Sequence, residues 1–175
     1  MQLLNLLNPG DEVIAANDMY GGTYRLFTKI FEKYGLKFHF VDMQDANNIN
    51  QYINANTKLI WTETPTNPMM NITDIKAVAE IAKQHNIMVC VDNTFASPYL
   101  QTPLDLGADI VLHSATKYLG GHSDVVHGCL IMNDAALEEK LTFYSKQLWC
   151  CTGPARLLFS FAWIKNITHP HAKAL

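Results

Sequence analysis

Short apolar runs alternate along the chain with longer stretches in which apolar residues recur at a helical period. Six of these runs are four or five residues long and rich in β-branched or aromatic side chains: 13–16, 37–41, 59–62, 87–91, 110–113 and 128–132. Strands with one wet face alternate strictly between apolar and polar positions, whereas these runs are mostly apolar throughout. The pattern therefore predicts six strands of a parallel or mixed sheet that is covered on both faces.

Three amphipathic stretches between the runs predict helices at residues 23–34, 73–85 and 133–146. The second is the clearest, because its apolar residues form one helical face: Ile75, Val78, Ala79 and Ala82. Thr73 has a side chain suited to capping and is expected to begin this helix. Strands that alternate with helices predict an α/β fold, a mostly parallel sheet flanked by helices and joined by right-handed crossovers.

Composition narrows the class of protein. The chain has 175 residues, of which 49% are apolar and 17% charged, as in a globular domain. Its formal charge of −3 is spread without a basic stripe, and no apolar stretch reaches the length of a membrane span, so neither nucleic acid nor membrane is an expected partner. Four cysteines without a CxxC pair indicate reduced thiols in a cytoplasmic protein: Cys90, Cys129, Cys150 and Cys151.

Two kinds of ligand site are not expected. The spacing of His122, Asp124 and His127 differs from the i, i+4 histidine pair of a helical zinc site, so no metal is predicted. No GxGxxG motif follows a predicted strand, which argues against a dinucleotide-binding domain.

Polar side chains follow several predicted strands, and ligands of open α/β sheets bind beyond the carboxyl ends of the strands. These side chains are Tyr20, Asn67, Asp92, Thr94, Ser114, Thr116 and Lys117. A partly desolvated lysine can form a Schiff base, a carboxylate can keep a ring nitrogen protonated, hydroxyls can bind phosphate, and a tyrosine can stack on a flat ring. Together these are the requirements of pyridoxal phosphate (PLP).

Three segments resemble one family of enzymes. Residues 91–128, VDNTFASPYLQTPLDLGADIVLHSATKYLGGHSDVVHG, resemble the lysine segment of the PLP-dependent enzymes of cysteine and methionine metabolism, the transsulfuration family. DMYGGTYRLF at 18–27 and ETPTNP at 63–68 resemble the same family in the same order. The resemblance covers the chain from Pro9 to about Gln147. The family includes cystathionine γ-synthase, γ-lyase and β-lyase and methionine γ-lyase.

The resemblance implies a role for each site residue. Lys117 holds the cofactor as an imine and serves as the base, while Asp92 pairs with the pyridinium nitrogen. Tyr20 stacks on the cofactor ring and assists proton transfer at the substrate amine. Ser114 and Thr116 bind the phosphate.

Three further residues complete this set: Asn67 lies near the ring hydroxyl, Thr94 lies close by, and Arg25 lies near the substrate. The implied activity is that of a carbon–sulfur lyase or transferase acting on a small sulfur-containing amino acid, in which a group on the β or γ carbon is eliminated or replaced by a thiol. Gly22 and Ser123 favour the cystathionine γ-lyase and γ-synthase types without separating them.

The resemblance also implies an incomplete protein. Residues 1–148 correspond to the large PLP-binding domain of a fold type I (aspartate aminotransferase-like) enzyme, truncated at both ends, and residues 149–175 form a divergent tail that begins a missing C-terminal region. Family members are tetramers built from dimers, so a homo-oligomer is expected. The alternative is a catalytically inactive remnant that at most binds cofactor or pairs with another subunit.

Simpler interpretations of single residues stay open. Glu63 and Asn67 could only hold the PTNP turn together, and Ser114 and Thr116 could only cap the turn that follows them. Arg25 could be a solvated helix residue.

Overall fold

The computed structural model describes residues 2–147, and the predicted tail at 149–175 lies outside them. In this part of the chain the strands form one six-stranded sheet in the order β2-β1-β3-β4-β5-β6. They are β1 (Glu12–Ala16), β2 (Lys37–Val41), β3 (Thr57–Glu63), β4 (Met88–Asp92), β5 (Ile110–His113) and β6 (Cys129–Ile131). The first five run parallel and β6 is antiparallel to β5, which confirms the predicted mostly parallel sheet.

The helices lie on both faces of this sheet. They are α1 (Gly21–Lys29), α2 (Ile75–Gln84), α3 (Ser97–Leu100) and α4 (Ala135–Gln147), with 3-10 helices at Gln2–Leu6, Phe31–Tyr34 and Ala46–Tyr52. No helix in residues 2–147 is long and apolar enough to cross a membrane.

Two details of the helix predictions are wrong. The stretch predicted as one helix at 23–34 divides after Lys29, and its 3-10 part ends at Gly35, which has a φ of 87° that favours glycine. Asp74, not Thr73, caps α2, because the Asp74 carboxylate accepts a hydrogen bond from the Ala77 amide at 3.0 Å. The amide of Thr73 instead donates to the Thr64 hydroxyl.

Two apolar cores cover the sheet, one on each face. The core beneath α2 and the Ala46–Tyr52 helix includes Ile14, Val41, Ile49, Ile60, Val78 and Val91. The core beneath α1, α4 and the N-terminal 3-10 helix includes Leu3, Val13, Phe27, Trp61, Cys90 and Leu141. The central strands β1, β3 and β4 are buried almost throughout, while the edge strands β2 and β6 are partly exposed. Burial on both faces therefore holds for the centre of the sheet.

The register of the parallel strands decides which turn residues meet. Glu63 at the end of β3 is the cross-strand partner of Asp92 at the end of β4, and Asp92 is in turn opposite Leu112 near the end of β5. The segments that follow β1, β3, β4 and β5 therefore lie together at the carboxyl ends of the parallel strands. These segments carry the polar side chains that the sequence analysis singled out.

Candidate active site

Asp92 is a buried acid at the carboxyl end of β4, with 8% of its surface exposed. Its Oδ1 accepts two hydrogen bonds from Thr94, from the backbone amide at 3.1 Å and from the hydroxyl at 2.5 Å. Burial raises the pKa of Asp92 above its ordinary value, and the hydrogen bonds from Thr94 oppose that rise. Both bonds use Oδ1, so within residues 2–147 the Oδ2 atom has no hydrogen-bond partner.

Thr94 joins the ends of two strands. While its hydroxyl donates to Asp92, the same oxygen accepts a hydrogen bond from the Ser114 amide at 2.8 Å. Thr94 thus fixes the turn after β5 relative to the acid at the end of β4. The structure places Thr94 beside Asp92.

Glu63 is a second buried acid beside Asp92, with 5% of its surface exposed. Its Oε2 accepts a hydrogen bond from the backbone amide of Tyr20 at 2.9 Å, and the backbone amide of Asn67 also acts on this carboxylate. Burial is the main cause that raises the pKa of Glu63 to about 7, and the two amides oppose it. Glu63 therefore does more than hold its own turn, because it also binds the turn that carries Tyr20.

Tyr20 precedes α1 and presents its side chain to solvent, with 54% of its surface exposed. Its ring lies against Gly22. Arg25 is exposed on α1. Its guanidinium turns back towards Gly21, since a Cβ built on Gly21 would lie 3.3 Å from Arg25 Nη1. Tyr20 and Arg25 are thus both held near the N-terminal end of α1.

A tight turn after β5 carries the hydroxyls and the lysine. Thr116 uses its hydroxyl inside the protein: Oγ1 donates to the His127 carbonyl at 3.2 Å and accepts from the His127 amide at 2.9 Å. The Lys117 amide donates to the Ser114 carbonyl, and the Gly121 amide donates to the Lys117 carbonyl. The turn returns to the surface here, and Lys117 is exposed.

A cavity of about 1250 Å³ gathers part of the predicted set. Tyr20, Asp92, Ser114 and Thr116 line it, and its apolar wall includes Trp61. The other four predicted residues, Arg25, Asn67, Thr94 and Lys117, are not among its lining residues. Thr94 contacts the lining residue Asp92, and Asn67 acts on Glu63, which binds the amide of the lining residue Tyr20. Arg25 and Lys117 lie exposed at the surface.

Of the two histidines considered for a metal site, His122 has a side-chain contact elsewhere. His122 Nδ1 lies 2.8 Å from the Gly120 carbonyl oxygen. The described part of the chain holds no group of three His, Cys, Asp or Glu side chains placed to bind a metal ion.

Comparison with known proteins identifies the family. A family model described as "Cys/Met metabolism PLP-dependent enzyme" matches residues 1–161. The chain belongs to this family. The match confirms the resemblance seen in the sequence motifs, and it confirms PLP as the cofactor that this family uses.

Individual members of the Cys/Met metabolism family agree with this assignment. The chain is 51% identical to the cystathionine γ-synthase of Mycobacterium leprae, over 93% of this chain and 42% of that protein. It is 49% identical to the cystathionine γ-lyase of Bacillus subtilis, over 87% of this chain and 40% of that protein. The crystal structure of cystathionine γ-lyase from Lactobacillus plantarum complexed with L-serine matches with a TM-score of 0.91 at 43% identity.

The last match covers 95% of this chain and 44% of the Lactobacillus chain, so the predicted fold is confirmed over the region that the two chains share. The chain spans less than half the length of these relatives.

The cofactor of this family suits the residues at the sheet edge. The Asp92 Oδ2 atom, without a partner among residues 2–147, is a suitable acceptor for the N–H of a protonated pyridine ring. Ser114 supplies a hydroxyl on the cavity wall, and the exposed Tyr20 supplies an aromatic face. The donor set therefore fits PLP, with Lys117 on the adjoining turn.

Proposed function

We propose that the chain is the cofactor-binding part of a PLP-dependent carbon–sulfur lyase or transferase of the cystathionine γ-synthase and γ-lyase kind. Its substrate would be a small sulfur-containing amino acid, and the working protein would be a cytoplasmic homo-oligomer. The main support is the buried Asp92, whose Oδ2 lacks a partner in the described residues and which lines one cavity with Tyr20 and Ser114. The names of the relatives support the substrate class.

Asp92 has the role of an anchor for the cofactor ring. When bound, PLP supplies an electron sink next to the reacting carbon of an amino acid. The Asp92 carboxylate would accept a hydrogen bond from the ring nitrogen and would keep that nitrogen protonated. Because Asp92 is buried, a positive partner stabilises its ionised form more strongly than it would in water, and this offsets the burial that raises the pKa of Asp92.

The remaining residues orient the ring and move protons. Lys117 would hold the cofactor through its side-chain amine, and that amine would serve as the base that takes a proton from the substrate. Tyr20 would cover one face of the ring. Ser114 has a freer hydroxyl than Thr116, whose Oγ1 is occupied by His127, so Ser114 is the stronger candidate for a phosphate contact.

An absorbance titration with PLP tests this proposal. A yellow imine band is expected in the wild-type chain, lost on reduction with borohydride and absent in Lys117→Ala. Lys83→Ala, which removes an exposed lysine from α2, is the matched control and should keep the band. A band that survives in Lys117→Ala would contradict the assignment of the lysine, and a folded wild-type chain without any band would favour an inactive remnant.

A further inference from the structure

The turns that follow β1 and β3 are joined in both directions by carboxylates. Glu63, at the end of β3, accepts the backbone amide of Tyr20 from the turn after β1. Asp18, in the turn after β1, accepts the Thr66 hydroxyl and, at 3.0 Å, the Met69 amide from the turn after β3. Each acid holds the turn to which the other belongs.

Glu63 has surroundings that make its charge state variable near neutral pH. Three sets of groups face it: the turn after β1 brings Asp18 and the Tyr20 amide, β4 brings Asp92, and its own turn brings the Asn67 amide. Burial together with the charges of Asp92 and Asp18 raises the pKa of Glu63 to about 7, and the two amides act in the opposite direction. Physiological pH therefore lies within its titration range.

The geometry points to Glu63 as a positioning residue that holds the Tyr20 and Asn67 turns in place beside Asp92. The strength of the hydrogen bonds that hold them depends on the charge of Glu63. The inference rests on the proposed function, because these turns and Asp92 form the cofactor edge proposed above. An ionised carboxylate accepts stronger hydrogen bonds than a neutral carboxyl group. The bond to the Tyr20 amide should therefore tighten as Glu63 loses its proton and loosen as pH falls.

Amide hydrogen exchange in the chain without cofactor tests this directly. In the wild type, the protection factor of the Tyr20 amide should rise as pH increases from 6 to 8. Glu63→Ala should lower that protection at pH 8 by at least about tenfold, the loss expected for one hydrogen bond to a charged group. Glu63→Gln keeps an acceptor but no charge, so it should retain partial protection that does not respond to pH. Glu80→Gln, on the exposed surface of α2, is the matched control.

A further variant tests the electrostatic part of the inference. Asp18→Asn removes a negative charge near Glu63, so the midpoint of the pH response at Tyr20 should move to lower pH. Unchanged protection at Tyr20 in Glu63→Ala, or a normal pH response in Glu63→Gln, would overturn the inference.

A cofactor titration of the same variants separates this inference from the proposed function. If Glu63 positions the turns that carry Tyr20 and Asn67, Glu63→Ala should weaken PLP binding while Glu63→Gln should retain most of it. A wild-type chain that shows no imine band but the expected exchange pattern would refute the function and leave the positioning role of Glu63 intact. A chain with a normal imine band in which the Tyr20 amide protection did not change in the Glu63 variants would support the function and refute the positioning role.

Discussion

The ring of Tyr20 lies against Gly22, the second glycine of the YGG turn. A Cβ atom built on Gly22 would lie 2.3 Å from Cε1 of Tyr20 and 2.9 Å from Cζ, a separation that real Cβ contacts do not show. The absence of a side chain at Gly22 is therefore what lets the Tyr20 ring occupy this position. Because the ring is half exposed, it can move away when a side chain is introduced.

Gly22→Ala should displace the Tyr20 ring without unfolding the protein. The ring swings into solvent, so the change in unfolding free energy should stay below about 1 kcal/mol. If Tyr20 stacks on PLP, the displacement should shift the absorbance maximum of the bound cofactor or weaken its binding. Titration of wild type, Gly22→Ala and Tyr20→Phe with PLP measures this. Wild-type affinity and spectrum in Gly22→Ala would show that the ring position in the cofactor-free chain has no bearing on binding.

The sequence was informative about the sheet because apolar runs have sharp ends. The strands Lys37–Val41 and Ile110–His113 have the predicted bounds, and polar residues adjoin three of their four ends: Asp42, Asp109 and Ser114. Helix ends were less predictable, since they depend on single side-chain contacts. Asp74 and Thr73 are both good capping residues, and only the three-dimensional path of the chain shows that Asp74 reaches the Ala77 amide.

The sequence likewise predicted some residues of the candidate site and missed the contacts of others. The rule that ligands bind at the carboxyl ends of strands led to Asp92, Ser114 and Thr94, and the structure brings these three together. The contact between Glu63 and Tyr20 joins residues 43 positions apart and depends on strand order, which no local pattern contains. The only signal in the sequence was an acid at the end of an apolar strand. The exposure of Lys117 likewise depends on how its turn meets the surface.

Asp92→Asn should stabilise the cofactor-free chain at neutral pH while weakening its binding of PLP. The pKa of Asp92 is raised in the folded state, so folding is disfavoured once the unfolded chain has lost this proton, above about pH 4. Asparagine avoids the buried charge, and its Oδ1 can still accept the bonds from Thr94. A gain of about 0.5–2 kcal/mol is expected at pH 8, shrinking as pH falls towards 4. Urea unfolding at several pH values checks this, and a gain that did not depend on pH would contradict the role of the charge.

Trp61 should tolerate phenylalanine far better than alanine. Its ring packs edge-on against Phe27, with 5.3 Å between ring centroids, while its buried Nε1 has no hydrogen-bond partner within residues 2–147. Trp61→Phe keeps most of the aromatic packing and removes the unsatisfied donor, so it should cost less than about 1.5 kcal/mol. Trp61→Ala should cost about 3–5 kcal/mol because it leaves a cavity. Denaturant unfolding of both variants gives the comparison, and equal losses would contradict the view that aromatic packing is the main contribution of Trp61.

Glu12, at the opposite edge of the sheet, should make stability fall in acid. Its carboxylate is buried at the start of β1 and accepts hydrogen bonds from Asn54 at 2.8 Å and, more weakly, from Lys37, while His39 Nε2 lies 2.7 Å away. The hydrogen bonds with Asn54 and His39 lower the pKa of Glu12 from its usual 4.5 to about 2, and the hydrogen bond and charge of Lys37 add a smaller effect. A depressed pKa means that the folded state gains stability from this group above pH 4.5 and loses it as pH falls towards 2.

Glu12→Gln should therefore destabilise the chain by roughly 1.5–3 kcal/mol at pH 7, the usual contribution of a hydrogen bond to a charged group. The gap between wild type and variant should narrow steadily from pH 5 to pH 3, because the unfolded wild-type chain takes up a proton at Glu12 in this range while the folded chain does not. Urea unfolding across this range measures the gap, with Glu139→Gln on the exposed face of α4 as the control that should match wild type at each pH. A gap of constant size from pH 7 to pH 3 would show that Glu12 acts through shape and not through charge.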